Sequence, residues 1–240
     1  MNPVTELRAF VRASLVDPVA RDHTEPDSAF HRRRVVVAIT LLVGAGILGW
    51  ALRIEPGDRT FYLATLALAG VWAVGAFASG PLHLGHAHTR GGQESSRAVV
   101  QSLALGAMLL GVFMGGAVVV AQFPVLRDPV EQLLDHARFG SLALVTVITI
   151  VNGIAEELYF RGALYAGVGR RHAVAVTTVV YALVTATSGI PLLVLAAALV
   201  GLVVAFQRRV TGGILGPAIT HLTWSLGMLY LLPPVLDRFS

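Results

Sequence analysis

The sequence predicts an all-α fold, a polytopic membrane helix bundle with about seven transmembrane helices. Of its 240 residues, 55% are hydrophobic and only 13% are charged, whereas a soluble domain carries about 25% charged residues. The mean hydropathy is +0.72. The apolar residues also fall into runs of about the length that crosses a bilayer as a helix. These observations predict an integral membrane protein.

Seven apolar runs follow one another along the chain, separated by short polar connections. Crossing a bilayer takes about 20 apolar residues; the fifth run is shorter than this, and the fourth becomes polar in its second half. The glycine cluster that includes Gly44, and the G-x-x-x-G formed by Gly111 and Gly115, favour close helix packing. We predict spans at residues 35–52, 61–80, 98–123, 140–165, 173–187, 190–206 and 213–232.

The polar segment before Val35 is too long for the start of a cleavable signal peptide. Apolar residues recur in it at helical spacing, with Arg8 and Arg12 on another face, which favours a helix lying on the membrane surface. A mobile cytoplasmic tail remains the alternative. The apolar set comprises Val4, Leu7, Val11 and Leu15.

The placement of arginines predicts the orientation, because inner loops carry an excess of basic residues. With a cytoplasmic N-terminus, the outer segments hold only Arg53, Arg59, Arg127, Arg138 and Arg238. The larger inner set comprises Arg8, Arg12, Arg21, Arg32, Arg33, Arg34, Arg90, Arg97, Arg170, Arg171, Arg208 and Arg209. We therefore predict a multi-pass protein of the plasma (inner) membrane with its N-terminus in the cytoplasm.

Composition also limits the chemistry and the partners. The chain has no cysteine, which excludes disulfides and thiolate catalysis. Its basic residues are spread over several loops without a recognition motif, so nucleic acid is not a predicted partner. Arginines at the membrane edges suit anionic lipid headgroups, and membrane lipids are therefore predicted partners.

Three ionisable residues interrupt the fourth apolar run: Glu156, Glu157 and Arg161. A charged side chain at bilayer depth costs roughly 2.5–3.5 kcal/mol, and such residues usually mark a functional site. Glu157 and Arg161 are i, i+4 partners that can pair on one face, whereas Glu156 has no counter-charge nearby in the sequence. A desolvated Glu156 can act as a general base towards water.

His221, in the last run, is the predicted partner of this site. It could orient the water, donate to an oxyanion or ligate a metal. Glu156 and Thr185 lie at nearly the same height, roughly 20 Å from the turn between their helices, and His221 is roughly 12 Å deep. We expect these groups to converge in one cavity that opens to the cytoplasm, with Gly216 and Pro217 kinking the last helix.

The stretch from Glu156 to Gly162 resembles the E-E-x-x-x-R-G signature of the CPBP family, the CAAX proteases and bacteriocin-processing enzymes, also called Abi. The family's second motif, F-x-x-x-H, corresponds here to Tyr181–Thr185, and its third, H-x-x-x-N, to His221–Ser225. Thr185 thus replaces a histidine and Ser225 an asparagine. The resemblance implies accessory helices at 35–97 and a catalytic core at 98–232, between a tail or interfacial helix at 1–34 and a C-terminal tail at 233–240.

This resemblance implies an intramembrane endopeptidase that acts on a peptide or membrane-protein substrate. Glu156 would be the general base, Glu157 with Arg161 the structural pair, and His221 the oxyanion or ligand histidine. Thr185 and Ser225 occupy the other two catalytic positions. A divalent metal such as zinc is a predicted optional cofactor, with Glu156 and His221 as its main ligands. Together with Glu157 they would make a thin site, although a catalytic zinc can work with three protein ligands plus water.

Several alternatives stay open from the sequence. The protein could be a degenerate member of the family, inactive and serving as a membrane scaffold or binding protein. A proton-coupled transporter also buries Glu and Arg, although the chain shows no inverted repeat. Glu156, Glu157 and Arg161 could form a purely structural ion-pair network, and ordinary packing is the preferred role for Tyr181. His83, His86 and His88 form a weaker candidate metal site in a loop.

Overall fold

The computed structural model describes residues 2–21, 23–88, 95–138 and 141–240. Arg90, assigned above to the inner side, and Gly140, the predicted start of the fourth span, lie outside these residues. The described elements are α1 (Pro3–Val11), a π-helical turn (Arg12–Val16), α2 (Asp27–Ala51), α3 (Arg59–Ser79), β1 (Ala87–His88), β2 (Ser95–Ser96), α4 (Val99–Ala121), α5 (Pro124–Arg138), α6 (Leu142–Glu156), a π-helix (Glu157–Leu164), α7 (Tyr165–Val168), α8 (Ala173–Thr185), a 3₁₀ turn (Ala186–Ser188), α9 (Pro191–Thr211) and α10 (Leu215–Phe239).

The predicted all-α membrane bundle is confirmed. Six helices in the described part of the chain are long and apolar enough to cross a membrane: Asp27–Ala51, Arg59–Ser79, Val99–Ala121, Leu142–Val168, Pro191–Thr211 and Leu215–Phe239. The predicted fifth span is the shorter apolar helix Ala173–Ser188. The small β1–β2 pair is antiparallel, with Ala87 opposite Ser96.

Three details of the helices differ from the sequence-based expectation. Residues 124–138, which form the polar connection between the third and fourth predicted spans, fold into α5, which starts with Pro124 at a position where the missing N–H of proline removes no helical hydrogen bond. Pro217 lies in the first turn of α10, where it also removes no helical hydrogen bond, so it does not kink the helix. The predicted tail at 233–240 instead continues α10 to Phe239.

Small residues bring α2 and α3 together. A Cβ on Gly44 would lie 2.1 Å from the ring of Trp72, and a Cβ on Gly75 would lie 2.2 Å from Thr40 Oγ1. Only glycine permits this approach, as the glycine cluster of the first span predicted. The other predicted packing motif is wrong: a Cβ on Gly111 or Gly115 meets no atom within 4 Å.

The main core surrounds the polar stretch of the fourth span. Trp72 packs against Tyr159 and Phe160 with ring centroids 4.5 and 5.3 Å away. All three side chains are almost completely buried. The Tyr159 hydroxyl donates to the Val37 carbonyl at 2.7 Å, which satisfies its polar atom inside the core. This packing of α2 and α3 fixes the helix that carries the two glutamates.

The N-terminal segment is attached to the end of α9. The Val19 N–H donates to the Val210 carbonyl at 2.9 Å, and Arg21 Nη1 donates to the same carbonyl at 3.3 Å. Arg209 in turn donates to the Leu15 carbonyl at 3.4 Å. The predicted helix near the N-terminus is present as α1, and the residues after it are held by the bundle rather than left as a free tail.

Candidate active site

The two glutamates lie where α6 passes into the π-helix Glu157–Leu164. The Tyr165 N–H donates to the Phe160 carbonyl five residues earlier, the bond that defines this geometry. Within the π-helix, only Leu158 is not buried. Single π-helical turns are rare and are found mostly at functional sites, so the backbone itself marks the segment that the sequence singled out.

Glu157 connects two helices through one carboxylate oxygen. Its Oε1 accepts from Arg161 Nη1 at 3.1 Å and lies 2.9 Å from His221 Nδ1. Glu157 and Arg161 are 0% exposed and His221 is 5% exposed. The predicted pair of Glu157 and Arg161 is therefore present. The histidine, however, bonds to Glu157 and not to Glu156, because α10 packs on the face of α6 that carries Glu157.

Arg161 has further partners that spread its buried charge. Nη2 donates to the Gly201 carbonyl at 3.2 Å, and the guanidinium lies 4.7 Å from the centre of the Tyr181 ring. A Cβ on Gly201 would lie 3.3 Å from Arg161 Nη2. The glycine thus allows α9 to approach closely enough for its carbonyl to bind the arginine.

Glu156 is partly exposed and has a neutral partner. Tyr181 donates its hydroxyl proton to Glu156 Oε2 at 2.6 Å. Tyr181 does pack in the core as predicted, with its ring centroid 4.7 Å from that of Phe160, but packing is not its whole role: its ring lies under Arg161, and its hydroxyl reaches the other glutamate. The adjacent carboxylates diverge, one towards α8 and one towards α10, as their spacing of about 100° on a helix requires.

The structure does not bring Thr185 and Ser225 into this hydrogen-bond network. Thr185 Oγ1 donates to the Tyr181 carbonyl at 2.9 Å, as expected for a threonine in a span. Ser225 Oγ donates to the Leu222 carbonyl at 3.4 Å. Both hydroxyls bond to their own helix, so neither makes a hydrogen bond to Glu156, Glu157 or His221 among the described residues.

Several polar atoms at the site have no partner among the described residues. Glu157 Oε2, Arg161 Nε and Trp224 Nε1 are buried without a hydrogen bond. Among the described residues, His221 bonds only through Nδ1, and Nε2 has no hydrogen-bond partner there. The Trp224 ring lies 6.1 Å from the His221 ring. Sequence reasoning missed Trp224, although its spacing of three residues from His221 puts both on one helix face.

The predicted metal site finds little support in the donor set. In the described residues, no three His, Asp or Glu side chains are arranged to hold a metal ion. His221 Nδ1 is already bonded to Glu157, and Glu156 to Tyr181. The residues present do not fit a three-ligand zinc centre, and no step of the chemistry below passes through a metal. The described loop histidines do not form such a group either, and His83 stacks on His23 at 3.7 Å.

One comparison with known families matches the segment that contains the site. Residues 138–227 match the Rce1-like family model, whose description is "Type II CAAX prenyl endopeptidase Rce1-like". The resemblance to the CAAX proteases is confirmed. The Rce1-like segment contains all six predicted site residues and leaves out α1 to α4. No curated protein matches the chain significantly, and neither does any solved structure.

Proposed function

We propose that this protein is an intramembrane endopeptidase of the CAAX-protease type, which uses Glu156 and His221 to hydrolyse a peptide bond near the cytoplasmic face of the membrane. The observation that carries the proposal is the pairing of His221 Nδ1 with Glu157, which leaves Nε2 free in a buried polar site. The carboxylate fixes the orientation of the imidazole, the arrangement by which catalytic histidines are positioned. The family match supports protease chemistry at the level of the family.

In this proposal, Glu156 takes the proton from a water molecule as the water oxygen attacks the peptide carbonyl carbon. Its carboxylate is partly exposed, and the hydroxyl of Tyr181 holds it in place. His221 in its charged form donates from Nε2 to the oxyanion of the tetrahedral intermediate. Collapse of the intermediate breaks the C–N bond, and the proton held by Glu156 passes to the leaving amine.

A second candidate function is a catalytically inactive membrane scaffold or binding protein. Two observations favour it: Tyr181 already occupies one oxygen of Glu156, and Thr185, in the position of the family's second-motif histidine, bonds to its own helix. In that case Glu156 would make polar contacts to a bound helix and would not act as a base.

The decisive experiment measures cleavage of a library of membrane-anchored peptides by the full chain in liposomes, with products identified by mass spectrometry. Glu156→Gln or His221→Ala should lower the rate by about 10²-fold or more, because each removes a group that acts on the transition state. Glu131→Gln, which changes a carboxylate of α5 outside the site, is the matched control. The chelator EDTA, followed by added zinc, tests the predicted metal dependence.

Equal rates for the wild type, Glu156→Gln and His221→Ala would contradict the protease assignment. No cleavage in the wild type, together with its appearance in Thr185→His, would support the scaffold, because the histidine would restore the missing family residue. Folding of every variant is checked by thermal unfolding in detergent, so that a lost fold is not counted as lost chemistry.

A further inference from the structure

A second polar site lies next to the candidate active site, at the end of the bundle where the N-terminal segment attaches. It is a cavity of about 190 Å³ whose wall includes Gly162 and Tyr165, just beyond Arg161 in the chain. Its charged and imidazole side chains come from four separate parts of the sequence: Arg21, His23 and Glu25; His83; Arg170; and Arg208. The proposed protease chemistry uses none of these side chains.

Arg208 is the most buried cation of this cavity. It is only 5% exposed. Its Nε donates to the Arg161 carbonyl at 2.7 Å, and its guanidinium lies 5.0 Å from the centre of the Tyr165 ring. Its two terminal nitrogens make no hydrogen bond to a described residue. A buried guanidinium with free N–H groups has a strong requirement for an anionic acceptor.

The charge of the cavity is not balanced by the described residues that line it. Glu25 is the only carboxylate among them, and both of its oxygens are bonded to Arg33. Arg21 donates to a neutral carbonyl, that of Val210. Arg21, Arg170 and Arg208 thus face the cavity without a described carboxylate partner.

Burial, and after it the neighbouring positive charges, favours the uncharged form of the two cavity histidines. Their rings stack at 3.7 Å and 8°. Burial, followed by the charges of His83, Arg208, Arg21 and Arg170, lowers the pKa of His23 from 6.5 to about 4. The pKa of His83 is lowered as well, by burial and by Arg208. Both imidazoles are therefore uncharged at neutral pH, when each can donate one N–H to a bound anion.

We propose that this cavity binds a phosphate group, either the headgroup of an anionic lipid or a free phosphate. Three arginines can surround its oxygens with paired, charge-assisted hydrogen bonds, the arrangement in which arginine is preferred over other residues. Basic pockets between helices at the membrane edge bind lipid phosphates in the same way. Because Arg208 also holds the backbone of Arg161, a bound phosphate would stabilise the π-helix of the active site.

The experiment measures the thermal unfolding of the full chain under two sets of conditions. In detergent, inorganic phosphate or pyrophosphate is added against sodium acetate at equal ionic strength, which tests free phosphate. In nanodiscs, phosphatidylglycerol is compared with phosphatidylcholine, which tests the lipid headgroup. A rise in the unfolding temperature in either arm supports the proposal and identifies the source. No rise in both arms, or an equal rise with acetate, would overturn it.

Adjacent arginines supply the matched variants. Arg170 lines the cavity and Arg171 does not, yet both are exposed. Arg170→Gln should weaken the apparent phosphate affinity by about tenfold, the loss expected for one charge-assisted hydrogen bond. Arg171→Gln should leave it unchanged. Equal affinities of the two variants would contradict the cavity as the binding site. Arg21→Gln provides a second test, at a cavity arginine that is only partly buried.

Discussion

At the scale of single residues, neighbouring glutamates have different environments. Glu157 is completely buried and shares one oxygen between Arg161 and His221. Glu156 is partly exposed and bonds to the uncharged Tyr181. Burying a charge is tolerable only when it is paired and hydrogen-bonded, which explains why the buried glutamate has the arginine. The partly exposed one is the glutamate to which we assign the proposed chemistry with water.

The sequence predicted this asymmetry but not the identity of each partner. Glu157 and Arg161 are four residues apart, so helix geometry alone brings them together. His221 is 64 residues from Glu157, and Tyr181 is 25 residues from Glu156. These contacts depend on which helix faces pack against each other, and neither the spacing nor the depth of the residues determines that.

His23 gives a prediction at the same scale. Its pKa is lowered from 6.5 to about 4 in the folded protein, so the unfolded segment binds the proton more tightly. The stability that His23 contributes is therefore fully present above pH 6.5 and is lost as the pH falls towards 4. We expect the N-terminal segment to detach from α9 over this range.

The absence of cysteine allows a direct measurement. A spin label on Thr24→Cys should show increasing mobility as the pH falls from neutral to about 4. Adding His23→Gln should remove most of this pH dependence, whereas His172→Gln, at an exposed residue outside the cavity, should not. A label that stays immobile in the wild type at low pH would show that His23 does not control the attachment.

At the scale of helices, the site depends on the close approach of α9 to the π-helix. Gly201 is the contact point: its carbonyl accepts from Arg161 Nη2, and its Cα faces Tyr181 and Arg161. A Cβ there would lie 3.1 Å from Tyr181 Cδ1, which is tighter than an ordinary contact between packed carbons. The distance between α9 and the π-helix therefore determines the positions of both Arg161 and Tyr181.

We expect Gly201→Val to lower the free energy of unfolding by about 1–3 kcal/mol, the usual effect of overpacking. It should also reduce cleavage, because the shift of α9 would displace Arg161. Gly111→Val is the control, since a Cβ at Gly111 meets nothing within 4 Å. Thermal unfolding in detergent measures the stability of both variants, and the liposome assay measures their cleavage rates. Equal stability of the two variants would contradict a tight contact at Gly201.

At the scale of the whole molecule, the inner arginines converge. Arg21, Arg170 and Arg208, all assigned to the cytoplasmic side by the sequence, surround a single cavity. Arg33 lies close by, completely buried, bonded to Glu25, Ser79 and the Pro81 carbonyl. Gly80 has φ +138°, and a Cβ on it would lie 2.7 Å from Arg33 Nη2. This end of the bundle is thus a concentrated positive region.

The pair of Glu25 and Arg33 ties the N-terminal segment to the bundle. The Arg33 side chain is 0% exposed and that of Glu25 is 23% exposed. Glu25→Gln leaves a buried arginine without its counter-charge, and we expect a loss of about 2 kcal/mol, less than for a fully buried pair. Asp17→Asn removes a pair whose side chains are 69% and 45% exposed, and should cost less than about 1 kcal/mol. Thermal unfolding compares them, and equal losses would contradict the structural role of Glu25.

The sequence by itself determined the membrane class, the helical fold and the segment that carries the buried charges of the candidate site. Apolar runs, and charges inside one of them, can be read from the local sequence. They predict the fold and the candidate site because an unpaired backbone group or charge is costly inside a bilayer. Only the tertiary structure decided that His221 pairs with Glu157, that Tyr181 holds Glu156, and that arginines from residues 21, 170 and 208 share a cavity. These contacts join distant parts of the chain, and they depend on which small residues allow two helices to approach.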